Sequence, residues 1–161
     1  MLRHDAPEKI LILHGPNLNL LGRREPHIYG TMTLDEINAK LKALARDLKV
    51  TLAILQSNHE GALIDFFHKH IDSAAGAILN PGGLTQHSVS LHDAIKAMPF
   101  PCVEIHMSNI AAREAWREHS IISAAVRGTV QGFGWRSYAA GLRTLVEMVR
   151  ETPNKAGGKK K

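Results

Sequence analysis

A glutamate and a histidine stand two residues apart at the end of an apolar run in the second half of the chain. Glu104 and His106 lie in the segment EIHMSN, and residues at this spacing in a β-strand point to the same face. A carboxylate beside an imidazole orients the ring and stabilises its protonated form, which suits a general acid. A lone histidine at a strand end is also often a buried structural group. Here, however, Ser108 and Asn109 follow, where the N–H groups of a helix start favour an anion.

A long segment after the first apolar run carries a second candidate pair. Arg24 and Tyr29 lie there between Gly22 and Gly30, and the segment runs for about 18 residues, where 2–6 are usual for such a connection. Long loops in compact domains often cover binding sites, although a surface loop with solvated arginines would look the same. A neighbouring guanidinium favours the phenolate, so Arg24 could make Tyr29 a general base. Tyr29 and His106 would then form a base and an acid for an elimination.

Two further segments supply polar groups at predicted strand ends. Asn17 lies in the asparagine-rich start of the long segment, and Asn80 begins the run NPGGLT. Glycines in that run let backbone N–H groups approach an oxygen-rich ligand, or they provide turns with positive φ. The residues alone do not separate these two interpretations.

Other chemistries receive less support from the spacing. The chain has ten histidines and one cysteine, but His68 and His70 do not share a helical face, and no HExxH pattern occurs. A Gly-X-Ser-X-Gly nucleophile elbow is missing, which disfavours a serine hydrolase. A non-enzymatic binding module remains open on fold grounds, because a fold does not determine a function.

Short apolar runs alternate along the chain with segments of helical periodicity. Thr33 and Glu36 have the spacing of a capping box, and Asn58 or Ser88 could cap later helices. We predict strands at 10–13, 50–55, 77–79, 102–105 and 124–130, and helical segments at 34–48, 62–71, 89–98, 112–117 and 138–150. This alternation predicts an α/β protein, a flavodoxin-like three-layer sandwich with a five-stranded parallel sheet. Ligands of such folds bind beyond the carboxyl ends of the strands.

The length predicts one domain, and the missing membrane and signal segments, with a single cysteine, predict a cytoplasmic location. We predict a single catalytic domain at residues 1–151, followed at 152–161 by a disordered basic tail. The four tail lysines account for most of the net charge of +5 and leave about +1 on the rest, so a nucleic-acid partner is not expected. No run is long enough for a membrane span, and no signal segment is evident. Cys102 lies in an apolar run and is expected to be buried.

Six motifs, spread in order over residues 10–150, resemble the type II 3-dehydroquinate dehydratases. The matching segments are GPNLNLLGRREPHIYG, QSNHEGALID, LNPGGLT, EIHMSN, REAWREHS and GFGWRSYAAGL. The resemblance implies a reversible anti elimination of water from 3-dehydroquinate, giving 3-dehydroshikimate through an enolate-like intermediate, with no metal and no organic cofactor. The pathway expected is the shikimate route to aromatic amino acids or the breakdown of quinate.

The resemblance also assigns roles to individual residues. Tyr29 is expected to be the base, with Arg24 supporting its phenolate, and His106 the acid, oriented by Glu104. Asn17 is expected to hold a water that stabilises the developing oxyanion. The residues expected to bind substrate hydroxyls and carboxylate are Asn80, Arg117 and the backbone N–H groups of Met107 and Ser108.

The resemblance implies an assembly as well, and it has one clear departure. The expected state is a homo-dodecamer, a tetramer of trimers, in which Asp93 reaches a substrate bound in a neighbouring subunit. Where the family commonly has Thr-His-Thr-Ser, this chain has Gln86 at the histidine position and His87 after it. Gln86 can donate and accept hydrogen bonds, or His87 could turn inward instead. Similarly, His92 stands where the family often has arginine.

Overall fold

A computed structural model describes residues 6–151, which form five parallel strands and five α-helices. The predicted basic tail at 152–161 lies outside the described residues. The elements, in chain order, are β1 (Lys9–His14), α1 (Pro26–Tyr29), α2 (Leu34–Leu48), β2 (Thr51–Gln56), α3 (Glu60–Lys69), β3 (Gly76–Asn80), α4 (Val89–Ala97), β4 (Cys102–His106), β5 (Gly128–Gln131) and α5 (Arg136–Glu151).

The sheet has the strand order β2-β1-β3-β4-β5, and every neighbouring pair is parallel. This is the order of a flavodoxin-like fold, so the predicted fold class is confirmed. The order in which strands are added reverses after β2, so that β3 lies on the other side of β1. The last residues of β1 and β3, His14 and Asn80, are register partners. The polar segments that follow β1, β3 and β4 therefore converge at one edge of the sheet.

Alternate residues of each central strand face two separate cores. In β1, Ile10 and Ile12 pack with α2 and α5, whereas Leu11 and Leu13 pack with α3 and α4. All four side chains are fully buried. Burial on both faces explains why the strand is a continuous apolar run instead of an alternating one. The three layers predicted from the sequence follow from this arrangement.

Helix starts show which local signals were reliable. Thr33 and Glu36 form the predicted capping box: the Glu36 carboxylate accepts from the Thr33 N–H, and the Thr33 hydroxyl accepts from the Glu36 N–H. Ser88 caps α4 by accepting from the Leu91 N–H at 3.1 Å. The predicted Asn58 cap is wrong, because the Asn58 oxygen instead accepts from the Asn17 N–H, and α3 starts after His59.

Two predicted elements need correction. The fifth strand begins at Gly128, four residues later than predicted, because Ala125 and Val126 bury their side chains from a turn. The predicted helical stretch at 112–117 is two 3₁₀ turns, Ile110–Ala112 and Ala115–Arg117, separated by an extended Arg113. That break turns the Arg113 side chain toward the edge of the sheet where the polar segments meet.

Candidate functional site

A cleft of about 200 Å³ lies beyond the carboxyl ends of β1, β3 and β4. Three polar segments wall it: the long loop after β1, the Gly82–Gly83 turn after β3 and the segment after β4. Its predicted site residues are Asn17, Arg24, Tyr29, Asn80, His106, Met107, Ser108 and Arg117. Eight of the ten residues singled out from the sequence therefore meet beyond the carboxyl ends of the strands, where such folds bind ligands.

Tyr29 is placed by a one-turn helix inside the long loop. Pro26 occupies the first turn, where its missing N–H costs nothing, and Gly30 ends the turn at φ 79°. The half-buried Tyr29 ring faces the cleft. Its phenol oxygen accepts a hydrogen bond of 2.8 Å from the Arg113 guanidinium. This helical turn lies within a segment whose sequence predicted only a loop.

Two guanidinium groups flank the Tyr29 ring. The Cζ atom of Arg24 lies 5.5 Å from the ring centroid and that of Arg113 lies 5.4 Å from it. The Nε of Arg24 donates to Glu25 at 3.2 Å, so part of its charge is paired within the loop. Arg113 is the more buried of the two and contacts the phenol oxygen itself. Positive charge beside a phenol oxygen stabilises its anion.

Arg113 is the main functional candidate that the sequence analysis missed. It lies in the segment REAWREHS, for which the expected role fell on Arg117 alone. The two arginines share Glu114, whose carboxylate is 3.5 Å from the Nε of Arg113 and 2.9 Å from that of Arg117. The available signal was the Arg-Glu-x-x-Arg spacing, which allows one carboxylate to hold both guanidinium groups.

Glu104 and His106 make the contact expected from their spacing, at 2.7 Å between Oε1 and Nε2. Glu104 is fully buried and His106 nearly so. Hydroxyl groups of Ser120 and Ser123 also donate to the Glu104 carboxylate, at 2.8 and 2.6 Å. Burial raises the pKa of Glu104, but the hydrogen bonds from His106, Ser123 and Ser120 outweigh it and hold that pKa below 4.5. Glu104 therefore stays ionised behind His106.

Two asparagines, Asn17 and Asn80, line the cleft. Asn17 adopts a left-handed conformation at φ 68°, which asparagine tolerates better than most residues. Its backbone N–H donates to the Asn58 side chain at 2.9 Å, which fixes the start of the long loop. Asn80 is 4% exposed, and its Oδ1 accepts from the Gly82 N–H at 3.1 Å. Asn80 therefore holds the Gly82–Gly83 turn as well as lining the cleft.

The departure at Gln86 and His87 has a clear structural outcome. Gln86 lines the cleft, whereas His87 is exposed and is not among its lining residues. The Gln86 amide donates to the Arg117 carbonyl at 3.2 Å. Its Oε1 is buried and finds no hydrogen-bond partner within the described part of the chain. A buried acceptor left in this state favours a ligand that can donate to it.

Two predicted residues do not line the cleft. Glu104 lies behind His106, as a group that orients the ring would. Asp93 lies on α4, where its side chain is 71% exposed and contacts His92 at 3.0 Å. Within one subunit, Asp93 therefore takes no part in the cleft.

The cleft offers a phenol next to cationic groups, a carboxylate-supported imidazole and several amide groups. A proton could leave a ligand toward one wall and be supplied from the other. The three arginines favour an anionic ligand. Among residues 6–151, no group of three His, Cys, Asp or Glu side chains is arranged to hold a metal ion. In the same range, no helix combines the length and apolar character needed to cross a bilayer.

Comparison with known proteins points in one direction. The family model described as dehydroquinase class II matches residues 8–146. A 3-dehydroquinate dehydratase from Gloeothece citriformis is 51% identical over 145 residues, covering 90% of this chain and 95% of that protein. One from Halothermothrix orenii is 45% identical over 143 residues, covering 89% and 97%. The crystal structure of a type II dehydroquinase from Propionibacterium acnes superposes with a TM-score of 0.85 at 39% identity, covering 88% of this chain and 98% of that one.

Proposed function

The chain belongs to the class II dehydroquinase family, and from this membership we propose that it is a hydro-lyase that converts 3-dehydroquinate into 3-dehydroshikimate and water. The observation that carries the proposal is that the family match spans residues 8–146 and includes every segment that lines the cleft. The substrate is an anionic hydroxy-acid, which suits a cleft with three arginines and several amide groups.

Tyr29 is the proposed base. As a phenolate it removes a proton from the carbon beside the substrate ketone, and the electron pair left behind forms an enolate-like intermediate. The Arg113 hydrogen bond to the phenol oxygen supports this assignment, as does the Arg24 guanidinium beside the ring. Because both arginines stay charged at neutral pH, they favour the ionised base without supplying or removing a proton.

Asn17 is proposed to hold a water that donates to the developing oxyanion. Its place on the cleft wall and its fixed backbone support this role. A donor held in advance stabilises charge in the transition state without reorganising at the moment of reaction.

His106 is the proposed acid. It gives a proton to the departing tertiary hydroxyl, which leaves as water when the enolate collapses to the conjugated enone. Its contact with the ionised Glu104 supports this role, because the carboxylate fixes the orientation of the ring. The proton taken by Tyr29 and the proton given by His106 balance over one turnover.

The remaining cleft residues are proposed to bind the substrate. Asn80, Arg117 and the N–H groups of Met107 and Ser108 would together hold the substrate hydroxyls and carboxylate. All four line the cleft. The Arg117 guanidinium already rests against Glu114 at 2.9 Å and over the Trp116 ring at 4.0 Å, which limits the conformations it must give up on binding.

We further propose a cytoplasmic homo-dodecamer, built as a tetramer of trimers, in which Asp93 contributes to a neighbouring subunit's site. The exposed position of Asp93, away from its own cleft, supports a role across subunits. The single buried thiol at Cys102 suits a reducing compartment. A fully active protein that elutes from a size-exclusion column at the monomer mass would contradict the site shared between subunits.

The test is a direct assay with purified protein in the presence of a chelator and without added cofactor. 3-Dehydroquinate is supplied, and the ultraviolet absorbance of the conjugated enone is followed. A rapid rise supports the dehydratase. A folded protein that gives no rise, and no binding of 3-dehydroquinate by calorimetry, would overturn the proposed substrate.

A further inference from the structure

A buried histidine that the proposed reaction does not use lies directly behind the cleft. His14 is the last residue of β1, is fully buried and is the register partner of Asn80. Its Nδ1 lies 2.9 Å from the Tyr138 hydroxyl, and its Nε2 lies 2.9 Å from the Asn38 Oδ1. Tyr138 is also fully buried, and the Asn80 side chain lies within hydrogen-bonding reach of its hydroxyl. A chain of four polar side chains thus runs from α2 to the cleft wall.

The donor and acceptor groups of these four side chains determine the direction in which their hydrogen bonds run. Asn38 offers an oxygen to His14, so Nε2 must carry the hydrogen and Nδ1 of the neutral ring must accept. The Tyr138 O–H therefore donates to Nδ1, and the Tyr138 oxygen keeps only acceptor capacity. Asn80 must then present its amide N–H to Tyr138, while its Oδ1 accepts from Gly82. The amide of Asn80 is left with one N–H.

Burial keeps the ring of His14 in the form that this direction needs. Burial lowers the pKa of His14 to about 4, against which the Asn38 hydrogen bond acts only weakly. Burial likewise raises the pKa of Tyr138, so its proton remains in place. Because His14 and Tyr138 are shielded from solvent, a reversed amide at Asn80 would set its oxygen against the Tyr138 oxygen and its N–H groups against the Gly82 N–H, which is costly.

We propose that His14 is a positioning residue, which acts through the Tyr138 hydroxyl and together with the Gly82 N–H to hold the amide orientation of Asn80, and so directs an N–H donor at the bound substrate. The inference rests on the proposed function for the identity of that substrate. It does not rest on it for the hydrogen-bond chain, which is a property of the protein alone. His14 does not touch the reacting atoms, so its effect should be on substrate binding more than on the chemical step.

The first measurement is nitrogen-detected NMR of the free protein at pH 7. The expected result is a neutral His14 ring protonated at Nε2, and an Asn80 side-chain amide protected from hydrogen exchange. In Tyr138→Phe, which removes one oxygen, that protection should be lost. An Nδ1-protonated ring, or an Asn80 amide that exchanges equally fast in both proteins, would overturn the inference whether or not the protein is a dehydratase.

The second measurement compares two substitutions at His14 in the assay. Asparagine places an acceptor near the position of Nδ1, whereas glutamine places its amide near Nε2 and leaves Tyr138 without its acceptor. His14→Gln and Tyr138→Phe are each expected to raise KM about tenfold with a smaller change in kcat, and His14→Asn to restore most of the affinity. His70→Gln, at the end of α3, is the matched control and should change neither constant.

A coupling experiment separates positioning from general destabilisation. In an Asn80→Ala background, His14→Gln should no longer raise KM, because the group it positions is gone. An effect of equal size in both backgrounds, or an unchanged KM with only a smaller fraction of active protein, would contradict the proposal. A wild-type protein without dehydratase activity, but with the expected NMR signals, would overturn the proposed function and leave the positioning chain standing.

Discussion

The Arg113 guanidinium donates a hydrogen bond of 2.8 Å to the phenol oxygen of Tyr29. The two residues are 84 positions apart in the sequence, and the contact depends on the extended conformation of Arg113 between two 3₁₀ turns. The sequence had suggested Arg24 as the partner, yet Arg24 lies beside the ring and its Nε donates to Glu25. In the proposed mechanism, direct stabilisation of the phenolate therefore falls to Arg113.

The first prediction concerns the relative weight of these arginines. Arg113→Ala is expected to lower kcat by about 10- to 100-fold, because a hydrogen bond to a charged group contributes roughly 1.5–3 kcal/mol. Arg24→Ala should lower kcat less, since it lacks the direct contact. Arg23→Ala serves as control, because Arg23 does not line the cleft. Steady-state kinetics test the order, and a larger loss for Arg24 than for Arg113 would contradict it.

The second prediction concerns the base itself. Tyr29→Phe removes only the hydroxyl and should leave the fold and substrate affinity nearly intact while kcat falls by at least about 100-fold. Circular dichroism checks that the variant is folded, and calorimetry checks that it still binds 3-dehydroquinate. Retention of most of the turnover would assign the base to another residue.

The sequence was informative where local rules decide the structure. The helix at Leu34–Leu48 was predicted with its bounds, because the Thr33–Glu36 capping box fixes its start and the apolar period runs to its end. The Glu104–His106 contact followed from the alternation of side chains along a strand. The convergence of Tyr29, His106 and the asparagines followed from parallel topology, which places all carboxyl strand ends on one edge.

Contacts between segments that are distant in the sequence could not be predicted from local patterns. The Arg113–Tyr29 hydrogen bond depends on how the segment after β4 bends, and no local pattern reports that bend. Ser123 donates to Glu104 from a turn just before the predicted start of the fifth strand, a position to which the sequence assigned no role. Asn58 looked like a helix cap, but a long-range partner, the Asn17 N–H, took its oxygen. In each case a tertiary partner competed with the local one and prevailed.

The third prediction concerns Gln86, whose buried Oε1 has no hydrogen-bond partner among residues 6–151. A substrate hydroxyl donating to this oxygen would contribute about 1 kcal/mol, so Gln86→Leu should raise KM by roughly five- to tenfold with little change in kcat. Gln86→His should retain part of that affinity because the ring also has polar nitrogens. His87→Leu is a neighbouring exposed control. An unchanged KM in Gln86→Leu would remove the residue from substrate binding.

The fourth prediction concerns the hydroxyl groups that hold Glu104 ionised. Ser123→Ala deletes a 2.6 Å hydrogen bond to a buried carboxylate and should lower the free energy of unfolding at pH 7 by about 1–3 kcal/mol. Because the folded-state pKa of Glu104 is lowered, its contribution is complete above about pH 4.5 and is lost as the pH falls through that pKa. The gap between the wild type and Ser123→Ala should therefore narrow below pH 4.5. Urea denaturation tests this, with the exposed Ser73→Ala as control, and an equal effect of both substitutions would contradict it.

The fifth prediction is a pH dependence that belongs to His14. The unfolded chain takes up a proton on this histidine near pH 6.5, whereas the folded protein does so only near pH 4. Between these values the unfolded state binds more protons, so the free energy of unfolding decreases as the pH falls. The two hydrogen-bond partners of His14, Tyr138 and Asn38, are uncharged over this range and do not offset the loss.

The size and control of this effect follow from the same values. One proton corresponds to about 1.4 kcal/mol per pH unit, so the wild type should lose roughly 2 kcal/mol between pH 6.5 and pH 5 through this residue. His14→Asn lowers stability at pH 7 because it leaves a void, but it should lack this slope. The pKa of His70 is also lowered by burial, and since His70 is present in both proteins its effect cancels in the difference. Urea denaturation at pH 7, 6 and 5 gives both slopes, and parallel curves would show that folding leaves the pKa of His14 unchanged.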